Sequence, residues 1–209
     1  MAEILTLENA SFKYVLEYTA RVIISGKVVA IPTDTFYGLG ADPFNLAAVN
    51  EIFRIKRRGA ERPIPLLVDS IEQAAELTSR PPQLFFTLAQ RFWPGALTIV
   101  VPASRQIPLK VTANTGKVGL RWPLASFAVA LIAAVGRPLT GTSANLSDME
   151  SCSTADEVDC QIGDVVPLIL DGGLTRGGLA STVVEITGEI GRIVRPGLIP
   201  ESELKEYLG

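Results

Sequence analysis

Apolar positions along the chain alternate between two rhythms. Phe12, Val15, Leu16, Val22 and Ile23 recur at helical spacing and predict a first helix ending near Ser25, with Asn9 as a candidate cap and Gly26 as the stop. A β-rich run at 28–31 follows, broken by Pro32, and leads into a turn-rich stretch ending Gly38-Leu39-Gly40. Asn45 then caps a second helix that places Leu46, Val49, Ile52 and Phe53 on one face and carries Arg54, Lys56, Arg57 and Arg58 toward its end. Beyond it the pattern predicts a strand at 64–68, helices at 70–77 and 82–92, a strand at 97–101 and another at 118–121. A buried helix at 127–135 precedes a short strand at 138–142, which enters the small-residue loop Ser143-Ala144-Asn145. Thr154 with Glu157 forms a capping box, strands are predicted at 165–170, 182–186 and 190–194, and a helix at 201–208 closes the chain. Alternating βα units followed by consecutive strands predict an α/β fold with an open, mixed sheet flanked by helices.

Composition narrows the class. Hydrophobic residues make up 47% and charged residues 20% of the 209 residues, the balance of a folded globular chain, and the expected organisation is a single domain over 1–209. A net charge of −3 argues against a surface built throughout to coat nucleic acid, while leaving room for a local basic cleft. The chain contains no histidine, which removes Ser-His-Asp and Cys-His nucleophilic machinery and imidazole-ligated metals. Its two cysteines, Cys152 and Cys160, match no zinc spacing and predict no disulfide framework. The N-terminus lacks a charged segment followed by an apolar one, and no apolar run nears the ~20 residues of a membrane span, so no membrane association and a cytoplasmic location are expected.

Several local features have the chemistry of a site, and each has a plainer reading beside it. Arg54, Lys56, Arg57, Arg58 and Arg62 are opposed only by Glu61. An arginine fork beside a lysine point charge suits a polyphosphate, yet cations at a helix C-terminus also stabilise a solvated helix end. Thr33-Asp34-Thr35, running into Tyr37, Gly38 and Gly40, places hydroxyls and small residues after a strand, as a ligand crevice or an ordinary turn would. The spacing is neither a Walker loop nor a dinucleotide fingerprint. Thr142-Ser143-Ala144-Asn145 offers an anion-binding nest or a helix cap. Arg121 and Arg195 are isolated arginines before prolines, and Asp171-Gly172-Gly173 with Gly177-Gly178 reads as a turn or a loop covering a site.

Taken in order, PTDTFYGLG at 32–40, Lys56 and Arg58 with Arg62-Pro63, WPGALT at 93–98, GLRWP at 119–123, TSANLS at 142–147, DGG at 171–173, STVV at 181–184 and RPG at 195–197 resemble the YrdC-like family of threonylcarbamoyl-adenylate synthases. The resemblance covers nearly the whole chain. It implies a YrdC-like fold, an open twisted mixed β-sheet flanked by helices around a large positively lined cavity. It also implies a reaction in which ATP, as substrate with Mg2+, L-threonine and bicarbonate or CO2 give threonylcarbamoyl-AMP and pyrophosphate. A separate downstream threonylcarbamoyl transferase would then modify the adenosine beside the anticodon of tRNA, so direct tRNA binding is not required. By position, Lys56, Arg58, Ser143 and Asn145 match the family's catalytic tetrad around the nucleotide. Arg62 and Arg195 match further nucleotide contacts, and Thr35, Arg121 and Ser181 match threonine-binding positions; no residue is expected to ligate a metal. The chain departs from the family pattern where Leu124-Ala125-Ser126 follows the arginine-proline motif without a histidine, where Asp148 replaces a common glycine, and where Pro65 interrupts the expected strand.

Two other readings remain open at this point. A carbamoyl-adenylate-forming module, like the one in hydrogenase maturation proteins, would depend on carbamoyl phosphate instead of threonine. An RNA-binding or ribosome-assembly module would show salt-dependent RNA affinity, although the chain has no long basic stripe or repeated aromatic platform.

Overall fold

The structure is a computed structural model that describes residues 2–7, 11–57, 59 and 62–208. Asn9, the candidate first cap, and Arg58 lie outside the described residues. Helix α1 (Phe12–Ile24) starts at Ser11 and turns Val15, Thr19, Ala20 and Ile23 inward; the hydroxyl of Thr19 donates to the Val15 carbonyl at 2.7 Å, which satisfies it inside the core. Gly26, at φ +87°, reverses the chain into β2 (Val29–Ile31). The Asn45 side chain accepts from the backbone N–H groups of Ala47 and Ala48, starting α2 (Leu46–Ile55) where the capping reading placed it.

The mixed sheet character expected from the sequence is divided between two sheets. The first contains β1 (Glu3–Thr6), β9 (Leu168–Asp171), β2, β3 (Gly38–Gly40) and β8 (Thr142–Ser143) in the order β1-β9-β2-β3-β8. β1 and β2 run parallel to β9, and β3 is antiparallel to both its neighbours. The second sheet has the order β11-β10-β5-β6-β4-β7, from β11 (Ile190–Arg195), β10 (Thr182–Thr187), β5 (Leu97–Pro102), β6 (Lys117–Arg121), β4 (Leu66–Leu67) and β7 (Leu139–Thr140). It mixes parallel pairs, β10 with β5 and β4 with β6, among antiparallel ones. The strand expected at 64–68 shrinks to β4 because Pro65 has no N–H to donate, and the carbonyl of Pro65 instead accepts from Gly141. The strand expected at 138–142 is two strands, since the chain passes from one sheet to the other at Gly141.

Two hydrophobic cores result. One is formed by α1, α5 (Ser126–Val135) and the first sheet, through Val15, Ile23, Ile31, Phe127, Leu131 and Leu170. The larger one gathers α2, α4 (Gln83–Phe92), α6 (Ala155–Ile162) and α7 (Glu201–Leu208) with residues of both sheets. Helix α3 (Ile71–Glu76) lies at its margin, with Ser70 capping it through Gln73 N–H.

Period-two alternation in the second sheet decides where the site lies. Leu97, Ile99, Val101, Val118, Leu120, Val184 and Ile186 point into the large core, so their neighbours Thr98, Val100, Lys117, Gly119, Arg121, Val183 and Glu185 face the other way. That second face is the floor of a cavity of about 690 Å3.

Candidate active site

The floor of the cavity is the second sheet, and one wall is the segment Thr33 to Gly38 together with Ser143 and Asn145 from the far edge of the first sheet. Lys56, Arg62, Lys117, Arg121 and Arg195 reach its lining, against the carboxylates of Asp148 and Glu185, so the wall is positively lined. A large cavity matching the enclosure of small-molecule sites thus coincides with most of the residues singled out from the sequence.

Lys56 sits at the C-cap of α2, and there the basic run divides. Arg54 is exposed and pairs with Glu51, and Arg57 is exposed at φ +48°, as a solvated helix end would have it. Lys56 is only 3% exposed, and its Nζ donates to Ser143 O at 2.6 Å, Asn145 O at 2.8 Å and Asn145 Oδ1 at 2.9 Å. Ser143 Oγ also donates to Asn145 Oδ1 at 2.6 Å, while Asn145 Nδ2 donates to Met149 O at 2.6 Å. The Lys56 carbonyl accepts from Ser147 N–H, which ties the loop to the end of α2 through the main chain as well. Lys56, Ser143 and Asn145, from distant parts of the sequence, therefore form one buried knot.

At the other end of the wall, Arg121 is almost entirely buried. Its Nε donates to Gly95 O at 3.0 Å, Nη1 to Thr35 Oγ1 at 3.0 Å, and Nη2 lies 2.8 Å from Asp34 Oδ1 in an ion pair. Burial pulls the Arg121 pKa down while Asp34 acts in the opposite sense. Arg195 Nη2 donates to Ser181 O at 2.8 Å and to Ser181 Oγ at 3.1 Å, and its pKa is lowered by burial and then by the charge of Arg121. Ser181 Oγ and Thr98 Oγ1 share a hydrogen bond at 2.8 Å. Thr35 with Arg121 and Ser181 with Arg195 thus form two hydrogen-bonded pairs lining the same cavity, and Arg62 stands at its edge with Nη1 3.3 Å from Asp148 Oδ1.

Sequence reasoning assigns no role of their own to Thr98 and Ser147 and names Tyr37 only within the turn that follows Thr35. Thr98 was read only as part of a strand and of WPGALT, yet it braces Ser181. Ser147 lines the cavity, and its buried Oγ has no hydrogen-bond partner among the described residues. Tyr37 Oη donates to Gly173 O at 2.8 Å and accepts from Gly172 N–H, so it fixes the glycine-rich segment beside the cavity; burial pushes its pKa up to about 12. A period-two reading of 97–101 around Leu97, Ile99 and Val101 would have marked Thr98 as facing away from the core. No sequence signal distinguishes Ser147 from other loop serines.

Among the described residues no group of three or more Cys, Asp or Glu side chains is placed to cage a metal ion, and no helix is long and apolar enough to cross a membrane. Lys56 spends its three N–H groups on Ser143 and Asn145 and Ala144 N–H is taken by Tyr37 O, so Lys56 acts on an anion in the cavity by its charge, while a second, smaller polar molecule can lie against Arg121, Thr35 and Ser181.

Residues 21–197 match the Sua5/YciO/YrdC family model, which is described as telomere recombination. The threonylcarbamoyl-AMP synthase of Pyrococcus abyssi is 36% identical over 209 residues, covering all of this chain and 62% of that protein. The Bacillus subtilis threonylcarbamoyl-AMP synthase is 37% identical over 191 residues, 91% of this chain and 55% of that protein. The chain thus spans somewhat over half the length of these two relatives. The crystal structure of P. abyssi Sua5 complexed with L-threonine superposes with a TM-score of 0.94 at 36% identity, covering 100% of this chain and 61% of that one.

Proposed function

The chain belongs to the Sua5/YciO/YrdC family, and from that premise we propose that it converts ATP, L-threonine and bicarbonate-derived CO2 into threonylcarbamoyl-AMP and pyrophosphate. Its main support is that the Lys56–Ser143–Asn145 knot and the Arg121–Thr35 and Arg195–Ser181 pairs line the same cavity, polar subsites sharing one enclosure. The threonine complex of the P. abyssi relative agrees with L-threonine as the substrate.

In this reading the polyphosphate lies along Lys56, Arg62 and the 142–145 loop, with Arg58 assigned to the same group by the sequence resemblance. Arg195 reaches the cavity from β11 and adds positive charge there. Arg121 receives the threonine carboxylate on its remaining N–H groups, and Thr35 and Ser181 orient the substrate through their hydroxyls. The threonine amine attacks the carbon of CO2 and loses a proton, giving a carbamate. A carbamate oxygen then attacks the α-phosphorus, the bond to the β-phosphate oxygen breaks, and pyrophosphate leaves, a nucleotidyl transfer.

The chain's own contribution is positioning and charge. Two anions, carbamate and polyphosphate, must meet, and fixed cations in a walled cavity offset their repulsion and the charge that grows on the leaving group. Orientation of bound reactants can supply roughly 7–11 kcal/mol, more than one acid–base group commonly does. Mg2+ would enter with ATP as Mg–ATP and would lower the charge of the polyphosphate beside Lys56 and Arg62. A downstream transferase then takes the product in the cytoplasm, and the net charge of −3 agrees with a protein that does not itself need to grip tRNA.

The test is pyrophosphate release from Mg–ATP and bicarbonate with and without L-threonine, with L-serine as control and the adduct identified by mass. Threonine-dependent release is expected; release indifferent to threonine, from folded protein, would overturn the assignment.

A further inference from the structure

Among the described residues two cavity cations pair with carboxylates that also line the cavity, Lys117 with Glu185 and Arg62 with Asp148, and only in the second pair are both side chains more than half exposed. Arg62 follows α2 on one side of the opening and Asp148 follows the Ser143–Asn145 loop on the other, 86 residues apart in sequence, and their side chains meet at 3.3 Å with 53% and 78% of their surfaces exposed. Asp148 holds φ +67°, the left-handed region that glycine enters most easily and that Asn and Asp tolerate, so the backbone here does not require a carboxylate. Nothing in the packing requires the carboxylate, since the side chain is mostly in solvent. Its contact is with a cation facing a cavity that carries more positive than negative groups.

We propose that Asp148 is an affinity-setting residue that competes with the polyphosphate for Arg62, an inference that rests on reading the cavity as a nucleotide site. With the cavity empty, Arg62 is neutralised by Asp148 across the opening. A polyphosphate entering the cavity takes over the guanidinium and releases the carboxylate to water, where it is fully solvated. Binding is weakened by the strength of the pair it displaces, and product pyrophosphate is shed more readily for the same reason. Both charges are exposed, so the effect is modest and fades as salt rises. The amino-acid subsite at Arg121 pairs with Asp34 instead and is insulated from this competition.

The experiment is calorimetric titration of ATP and of inorganic tripolyphosphate into the wild-type chain and into D148N, R62Q and the double variant, at low and at physiological salt. Asparagine keeps the shape and tolerates the backbone angle, so D148N folds. D148N is expected to bind both probes about two- to fivefold more tightly at low salt, with a smaller gain at higher salt, no gain in the R62Q background and unchanged threonine affinity. An equal gain in both backgrounds would mean simple repulsion, and no gain would mean no competition; either overturns the proposal while leaving the nucleotide site standing. Failure of the folded wild type to bind either probe at millimolar concentration would overturn the nucleotide reading and this inference together.

Discussion

Asp34 Oδ1 lies 2.8 Å from Arg121 Nη2, with the two side chains 15% and 8% exposed. The carboxylate is absent from the cavity lining, so it compensates the guanidinium from behind while Nε and Nη1 are fixed by Gly95 O and Thr35 Oγ1. The direction of the arginine fork is therefore decided by three partners before any ligand arrives.

Replacing Asp34 by Ala leaves a buried arginine without its counter-charge. The expected loss is about 3 kcal/mol of folding stability, and Asp34→Asn is expected to lose less. At temperatures where the Asn variant is folded, the KM for threonine should rise while that for ATP stays close to wild type. Urea unfolding and steady-state kinetics check both; an equal rise in the two KM values would count against a role confined to Arg121.

Lys56→Ala is expected to damage activity and stability together. The ammonium donates to three buried oxygens of Ser143 and Asn145, and its removal leaves them short of a donor, at a cost of about 2 kcal/mol. Pyrophosphate release should fall by at least a hundredfold, on the order of losing one preorganised charge at a reacting centre. Thermal unfolding measured alongside activity separates the two effects, and full activity in this variant would remove Lys56 from the site.

Arg57 follows the C-cap of α2 at φ +48°, where an L side chain is strained and exposed. Arg57→Gly relieves that strain and should stabilise the chain by about 0.5–1 kcal/mol. Chemical denaturation reads the shift in midpoint; destabilisation would show that the arginine makes contacts worth more than the strain.

Alkaline pH should weaken the fold through Tyr37. Its pKa in the folded chain is raised from 10.0 to about 12, first by burial, so the unfolded chain releases this proton at lower pH than the folded one. The stabilisation is intact below pH 10 and is lost as pH rises from 10 towards 12. Cys152, raised from 9.0 to about 11 by burial, acts in the same sense over pH 9 to 11. Unfolding free energies measured from pH 8 to 11.5 should fall, and Tyr37→Phe should flatten the upper part of the curve.

Features set by neighbours in the chain were readable from sequence. The Asn45 cap and the Gly26 stop depend on bonds within one turn and stand in the structure, and Thr154 caps its helix through Glu157 N–H, although the Glu157 carboxylate accepts from Ser153 N–H and not from Thr154 N–H. β1 was not foreseen, because its four residues carry no alternating pattern and owe their conformation to pairing with Leu168 to Asp171 far along the chain. β3 reads Gly-Leu-Gly, which resembles a turn until β2 and β8 supply partners on both sides. For the site, the basic run was visible but its division between buried Lys56 and exposed Arg54 and Arg57 was not, since the oxygens that enclose Lys56 come from a loop 87 and more residues later. Asp34 with Arg121 and Thr98 with Ser181 were hidden for the same reason: buried polar partners brought together across a fold leave no mark in a local pattern.

The crossing at Gly141 has a mechanical meaning. One residue separates Thr140, paired in the second sheet, from Thr142, paired in the first, and a Cβ there would come within 2.6 Å of Leu67 Cγ. A span of two peptide units, about 7 Å at most, is the shortest covalent link between the sheet bearing Ser143 and the sheet bearing Arg121. On the proposed reading the two substrate positions are thus cut into one mould, their spacing held at this crossing by the covalent chain itself.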